Sequence, residues 1–248
     1  RVKKIKKFID HFLLLFSFEK PYFDKEQVSC EFVGHPLLEY KPDDKIDINQ
    51  LVGRNKALIS VFTGSRISEI NVLMPILLNF IKLMADKYSD ITFVFHSTRE
   101  HSKLIQSYIK KSDLINCEVI SDDKIKTHLL KKSIFAVTKS GTVSLEVCNA
   151  KIPSIIIYKT NFINFFIIKL LVKINYANII NIAANEEVIP ELLQSNCNPK
   201  NIYKAVSKFL ETPSKMKEQI IKTETVLNKL KIDSSSSELA SRALNRFV

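Results

Sequence analysis

The chain is 248 residues long, 46% hydrophobic and 25% charged, which is ample for one large packed domain with attachments and ordinary for a soluble protein. Its cysteines (Cys30, Cys117, Cys148, Cys197) show no CxxC pair, so neither a zinc or other metal site nor a disulfide framework is indicated, and a reduced cytosolic compartment fits. The formal net charge of +11 reads either as lysines on solvated helix faces or as attraction to something anionic; no RNP, zinc-finger or basic-zipper pattern accompanies it, so nucleic acid is not the expected partner.

Arg1–Tyr40 reads as helix, strand (Phe12–Phe16), helix and strand (Ser29–Val33), ending at Gly34-His35-Pro36. The basic start leads into an amphipathic segment, so no signal peptide is expected. Lys41–Asn55 is polar and reads as a linker. Strands and helices then alternate. Ala57–Phe62 is a buried strand, after which Ile70, Leu73, Leu77, Ile81 and Met84 recur at helical spacing. Pro75 within that helix predicts a kink or a late start. A strand at Ile91–Phe95, a helix at Glu100–Ile109 and a strand at Cys117–Ile120 follow. Next come a helix at Lys124–Leu130, a strand at Ile134–Thr138, a helix at Gly141–Asn149 and a strand at Ser154–Tyr158. Beyond Pro199 the chain is helical: Asn201–Leu210, Ser214–Lys231 and a last helix whose start carries the capping-box spacing Ser235-x-x-Glu238. Alternation of this kind predicts an α/β fold: a Rossmann-like parallel sheet with helices on both faces, followed by a helical C-terminal tail. Three parts are expected: residues 1–43, an incomplete domain plus linker; 44–212, the Rossmann-like ligand-binding domain; and 213–248, the C-terminal helices.

Only four glycines occur, where an average usage of about 7% would give roughly four times as many. Two of them, Gly64 and Gly141, sit where a strand runs into a helix. A glycine there lets backbone approach a ligand, and the helix N-terminus behind it offers N–H groups to an anion. Two such junctions suggest a pocket for a phosphorylated ligand at the carboxyl ends of the strands. In Gly64-Ser65-Arg66, Ser65 caps the helix or bonds a phosphate, and Arg66 supplies a bidentate cation; the alternative is a plain turn with an exposed arginine. In the run Ser140-Gly141-Thr142, Glu146 lies about one and a half turns into the helix, placed for ribose hydroxyls or simply on the surface. Lys139 adds positive charge or points away. Asn181 stands in an apolar run, either holding a sugar hydroxyl or phosphate, or serving as a turn residue satisfied by backbone. The histidines (His11, His35, His96, His101, His128) show no metal spacing, and His96 at a strand end reads as an ordinary loop residue.

The apolar stretch Ile155–Ile174 is cut by Lys159, Lys169 and Lys173, short of the ~20 mostly apolar residues of a spanning helix. Phe162, Phe165 and Phe166, with Lys169 and Lys173, form either a face that lies flat on a bilayer or a core-packed helix with a lysine edge.

Taken together the motifs resemble those of the lipid-A-disaccharide synthase family. Phe32-Val33-Gly34-His35-Pro36-Leu37 is similar to its FVGHPL segment, Thr63-Gly64-Ser65-Arg66-Ile67-Ser68-Glu69-Ile70 to its PGSRxSEI loop, and Ser140–Glu146 to its SGTxTLE helix. Asn181–Gln194 resembles its NIIAGREVVPELLQ segment. The resemblance implies the C-terminal, donor-binding half of a GT-B glycosyltransferase. Its implied reaction joins UDP-2,3-diacylglucosamine to 2,3-diacylglucosamine 1-phosphate, forming the lipid A disaccharide and releasing UDP, without a cofactor. It also implies that Arg66 binds the donor diphosphate, Glu146 the ribose, and Asn181 the donor near the reacting centre. The implied location is peripheral, on the cytoplasmic face of the inner membrane, which would give the Phe162–Lys173 face its meaning.

Three local departures stand out: Phe62-Thr63 for Leu-Pro, Lys139 for alanine, and Asn185-Glu186 for Gly-Arg. The resemblance begins where the family's N-terminal Rossmann domain is almost finished. The general base is therefore expected outside these residues, and the chain by itself is expected to be inactive or nearly so; a separate N-terminal half or a second copy are the partners this implies. The alternatives are another UDP-aminosugar transferase or epimerase of the same fold, or a non-catalytic anion- or membrane-binding module.

Overall fold

The computed structural model describes residues 2–39, 57–160 and 175–247. They divide into two units, Arg1–Lys41 with Thr225–Val248, and Pro42–Glu224. In the first, α1 (Val2–Ile5) precedes β1 (Phe12–Leu14), then α2 (Lys20–Asp24) and β2 (Cys30–Phe32). The two strands pair in parallel, Phe12 opposite Cys30 and Leu14 opposite Phe32. Leu14, Phe23 and Val28 bury a small core beneath them.

The second unit carries the alternating pattern. Its elements are β3 (Ala57–Phe62), α3 (Ile67–Ala85), β4 (Ile91–His96), α4 (Ser102–Lys110), β5 (Cys117–Ile120), α5 (Asp123–Lys132) and β6 (Ser133–Lys139). Then come α6 (Val143–Asn149), β7 (Ser154–Tyr158), α7 (Ile179–Ala184), β8 (Glu191–Leu193), α8 (Pro199–Leu210) and α9 (Pro213–Leu230), within which the division between units falls. The sheet runs β5-β4-β3-β6-β7-β8, every pair parallel. The order reverses between β3 and β6, and in open sheets of this kind ligands bind in the crevice at that point.

Both faces are covered, which is why β3 and β4 read as nearly continuous apolar runs. On one face Ile59 and Val61 of β3, with Phe93 and Phe95 of β4, pack against α3, α4 and α8 in the main core. On the other, Leu58 and Val94 meet Leu129 of α5, and Phe62 and Ala136 meet Val147 of α6. Among the described residues α3 alone is long and apolar enough to cross a membrane, yet Ile70, Leu73, Met74, Leu77 and Ile81 make it a core helix. It starts at Ile67 and runs through Pro75, so the proline does not delay the start. The cysteines are free, and burial pushes the Cys148 thiol up to about 12.

Two features differ from expectation. The C-terminal segment does not stand apart: residues from Thr225 onward group with the N-terminal forty, while 213–224 belong with the sheet. In α10 (Ser236–Leu244) the Ser236 N–H donates to Glu39 Oε1 at 2.7 Å. Beyond it Arg246 reaches Glu31 at 2.9 Å. A Cβ on Gly34, whose φ is +81°, would sit 3.2 Å from Ile232 Cδ1. The Ser235/Glu238 spacing forms no capping box, because the Ser235 side chain makes no cap bond and meets Ser237 Oγ instead, while Glu238 pairs with Arg242. Lys41–Asn55 and Phe162–Lys173, the expected linker and membrane face, lie outside the described residues.

Candidate functional site

The carboxyl end of β3 turns into α3 through Gly64, whose φ is +97° and whose Cβ, were there one, would collide with the Glu69 carboxylate. Only glycine serves at such a turn. Arg66 is the N-cap of α3 but makes no side-chain cap bond. Its guanidinium, 78% exposed, stands 3.5 Å from Glu69 Oε1. A second cation holds the same carboxylate more closely: Lys139 Nζ, from the end of β6, lies 2.9 Å from Glu69 Oε1 with both side chains largely buried. The Glu69 carboxylate thus ties the β3 turn to the end of β6.

The β6 turn carries Ser140, Gly141 and Thr142. Ser140 Oγ donates to Ala177 O at 2.6 Å, so this hydroxyl anchors the segment before α7. A Cβ at Gly141 would meet nothing within 4 Å; open space lies in front of the backbone there. Glu146, on α6, accepts from Lys126 Nζ of α5 at 3.1 Å.

His96 closes the back wall at the end of β4. Its ring stacks on Phe62 with centroids 4.4 Å apart, and its Nε2 meets Ser60 Oγ at 2.8 Å. A chain of bonds sets its tautomer. Ser133 Oγ donates to Leu129 O, so at the Ser60–Ser133 contact of 2.7 Å Ser60 must be the donor. Ser60 has then spent its proton, and His96 must donate from Nε2–H. Burial first, and the nearby Lys126 charge second, hold the imidazolium down to about 3, so the ring is neutral at physiological pH and Nδ1 is a bare acceptor.

These groups line one cleft of 230 Å³ over the β3/β6 crossover point. Gly64, Ser65, Ser140, Gly141, Thr142 and Glu146 are all in its wall, joined by Phe62, Glu69, His96, Asp123, Lys126 and Lys139. Arg66 is not among the lining residues. His96 is not the ordinary loop residue that its place at a strand end suggests: it is the buried last residue of β4. Asp123 and Lys126 give no signal in the sequence, and only the convergence of β3, β4 and α5 marks them. Among the described residues no trio of His, Cys, Asp or Glu is placed to hold a metal.

Asn181 is brought elsewhere. It is completely buried, its Oδ1 accepting from Val188 N and Ile189 N at 2.9 Å each. Its Nδ2 donates to Ile189 O at 2.7 Å and Glu191 Oε1 at 2.8 Å. With both ends committed, the carboxamide has nothing to offer a donor sugar; it is satisfied by backbone and by Glu191, from within α7 rather than from a turn.

A family model described as lipid-A-disaccharide synthetase matches residues 1–244. The lipid-A-disaccharide synthase of Rickettsia prowazekii (strain Madrid E) is 32% identical over 235 residues, covering 93% of this chain and 61% of that protein. The chain spans about three-fifths of the length of the curated relatives it matches. Among solved structures, Staphylococcus aureus MnaA with UDP superposes at a TM-score of 0.60 with 15% identity, over 93% of this chain and 63% of that one. The C-terminal domain of a glycosyl transferase group 1 family protein from Francisella tularensis gives 0.51 with 13% identity, over 79% and 97% respectively. Likeness at this identity concerns the fold, a Rossmann-like parallel sheet shared with GT-B glycosyltransferases and epimerases.

Proposed function

The chain belongs to the lipid-A-disaccharide synthase family, and on that premise we propose that the β3/β6 cleft is the UDP-sugar donor site of such an enzyme. The proposed reaction transfers the diacylglucosamine unit of UDP-2,3-diacylglucosamine to 2,3-diacylglucosamine 1-phosphate. The observation that carries the reading is the joining of both glycine turns and Glu146 in one cleft at the switch point of the sheet.

In this reading the diphosphate lies against the Gly64–Ser65 and Ser140–Thr142 turns. Backbone N–H groups there face the oxygens, and the start of α3 adds its dipole. As the acceptor hydroxyl attacks the anomeric carbon, the bond to the diphosphate oxygen breaks and negative charge accumulates on UDP. Fixed donors at the turns stabilise that charge without having to reorganise. Glu146 accepts from the ribose hydroxyls. The acyl chains of both substrates, with the net charge of +11, support work at the cytoplasmic surface of the inner membrane.

The test is calorimetric titration with UDP and with its 2′-deoxy analogue. Saturable UDP binding, weaker for the deoxy analogue in the wild-type chain and equal for both in Glu146→Ala, is expected. A chain that is folded by circular dichroism yet binds no UDP overturns the reading.

A further inference from the structure

The charge in the cleft sets a problem for a diphosphate ligand. Its wall carries three carboxylates, on Glu69, Asp123 and Glu146, against two ammoniums, on Lys126 and Lys139. One negative charge is in excess, and the exposed Arg66 guanidinium is already beside Glu69. Summed charge therefore does not attract a dianion. A particular cation has to change partner.

Lys139 is placed to do so. It ends β6, one residue before the Ser140–Thr142 turn, and its ammonium reaches Glu69 at 2.9 Å. Glu69 in turn lies against Gly64, since a Cβ on that glycine would strike its side chain. The Lys139 ammonium thus sits between the two turns, across the crevice where the strand order reverses. Behind it the Tyr158 ring, 5.4 Å from Nζ to centroid, gives a cation–π face that holds the side chain near this position. Lys126, by contrast, rises from α5 toward Glu146 and the Phe62 ring, on the Phe62 and His96 side of the cleft.

We propose that Lys139 is the diphosphate ligand of this cleft and that Glu69 holds its ammonium in place until the diphosphate takes it over. The proposal rests on the donor-site reading above and adds to it a residue that stands where the family pattern has alanine. On exchange, Lys139 trades a carboxylate for a diphosphate oxygen, and Glu69 keeps Arg66 as its cation. Nothing needs to cross the cleft, because the ammonium is already between the turns. No bond is made or broken; the step is an exchange of ion pairs.

The experiment titrates the full chain with UDP and with uridine, followed by NMR, in the wild type, Lys139→Ala, Lys139→Arg and Glu69→Gln. Lys139→Ala is expected to weaken UDP about 10- to 100-fold, the worth of a charge-assisted bond, and to leave uridine unchanged. Lys139→Arg should retain most of the affinity. Glu69→Gln should bind UDP more tightly, because Lys139 no longer has a carboxylate to leave. The proposal is overturned if Lys139→Ala binds UDP like the wild type, or loses UDP and uridine in equal measure, or if Glu69→Gln weakens UDP. Wild-type binding of uridine but not of UDP also overturns it. Absence of saturable binding of either ligand to the folded wild type overturns the donor-site reading, and this proposal with it.

Discussion

Asn181 and Glu191, ten residues apart, are joined by a 2.8 Å hydrogen bond from Nδ2 to Oε1. The same Glu191 carboxylate accepts from Ala177 N and Asn178 N at the start of α7. Glu191 opens β8, so the pair fastens the edge strand to the helix that precedes it. Through Ala177, whose carbonyl receives Ser140 Oγ, the network ends at the cleft. Asn181 therefore supports the site from behind.

From this follows the first expectation. Asn181→Ala leaves the buried Ile189 N–H unpaired, at about 1–3 kcal/mol, while Val188 N–H keeps Glu186 O at 3.1 Å. A lowered urea midpoint is expected. Any loss of UDP affinity should be recovered at lower temperature or in stabilising osmolyte. A protein of unchanged stability that has lost UDP would return Asn181 to a direct ligand role.

Gly64 and Gly141 should respond differently to alanine. At Gly64 the positive φ and the collision with Glu69 act together, and a cost of about 2–3 kcal/mol is expected with impaired ligand binding. At Gly141 φ is also positive, at +156°, which strains any side chain, but an added Cβ meets nothing within 4 Å, so Gly141→Ala should be destabilising yet lose less than Gly64→Ala. Thermal melts of the two variants side by side decide the order.

Gln219 of α9 grips β7 where the strand begins. Its Oε1 accepts from Ser154 N at 2.6 Å and its Nε2 donates to Ser154 O at 3.0 Å, with the side chain buried. Gln219→Leu is expected to cost about 2–4 kcal/mol through two stranded backbone groups. Gln219→Glu should be no better, because a carboxylate cannot donate to the Ser154 carbonyl. Equilibrium urea unfolding measures both.

The neutral His96 makes stability depend on pH. Its folded pKa of about 3 lies below the ordinary 6.5, so the unfolded chain binds a proton that the folded chain refuses. Stability is full above pH 6.5 and falls as the pH drops from 6.5 toward 3. By pH 4.5 the loss from this residue reaches about 2–3 kcal/mol. His35, also depressed by burial, adds in the same direction, and the lowered carboxylates Glu39, Glu211 and Glu218 act only below their usual range near 4.5. Urea midpoints at pH 7.5, 6.5, 5.5 and 4.5 should trace this slope, and His96→Phe, which keeps a ring on Phe62, should flatten it. An unchanged slope in the variant would move the titration elsewhere.

The strands at 57–62, 117–120 and 154–158 were legible as apolar runs bounded by polar or turn residues, and they form with those bounds. α7 and β8 were not. β8 is three residues long and half-buried, and nothing but its register against β7, Ile156 opposite Glu191, makes it a strand. Asn181 stood out as a polar residue in an apolar run, but an outlier of that kind does not say whether its partner is a ligand or the chain. His96 gave no signal of its own. Its partner Ser60 lies 36 residues away, and Ser60 in turn is set by Ser133, 73 residues from Ser60.

The sequence by itself determined the alternation of strands and helices, the two glycine turns at strand ends and the family to which the chain belongs. These are carried by short-range periodicity, by backbone conformations only glycine tolerates, and by motifs a few residues long. Tertiary structure decided which carboxylate holds which lysine, which histidine tautomer faces the cleft, and that Asn181 is spent on backbone. It also brought the last helix to the N-terminal strands. Each of these depends on distances of a few ångströms between segments that only folding brings together, and a hydrogen bond or ion pair exists at 3 Å and not at 6 Å.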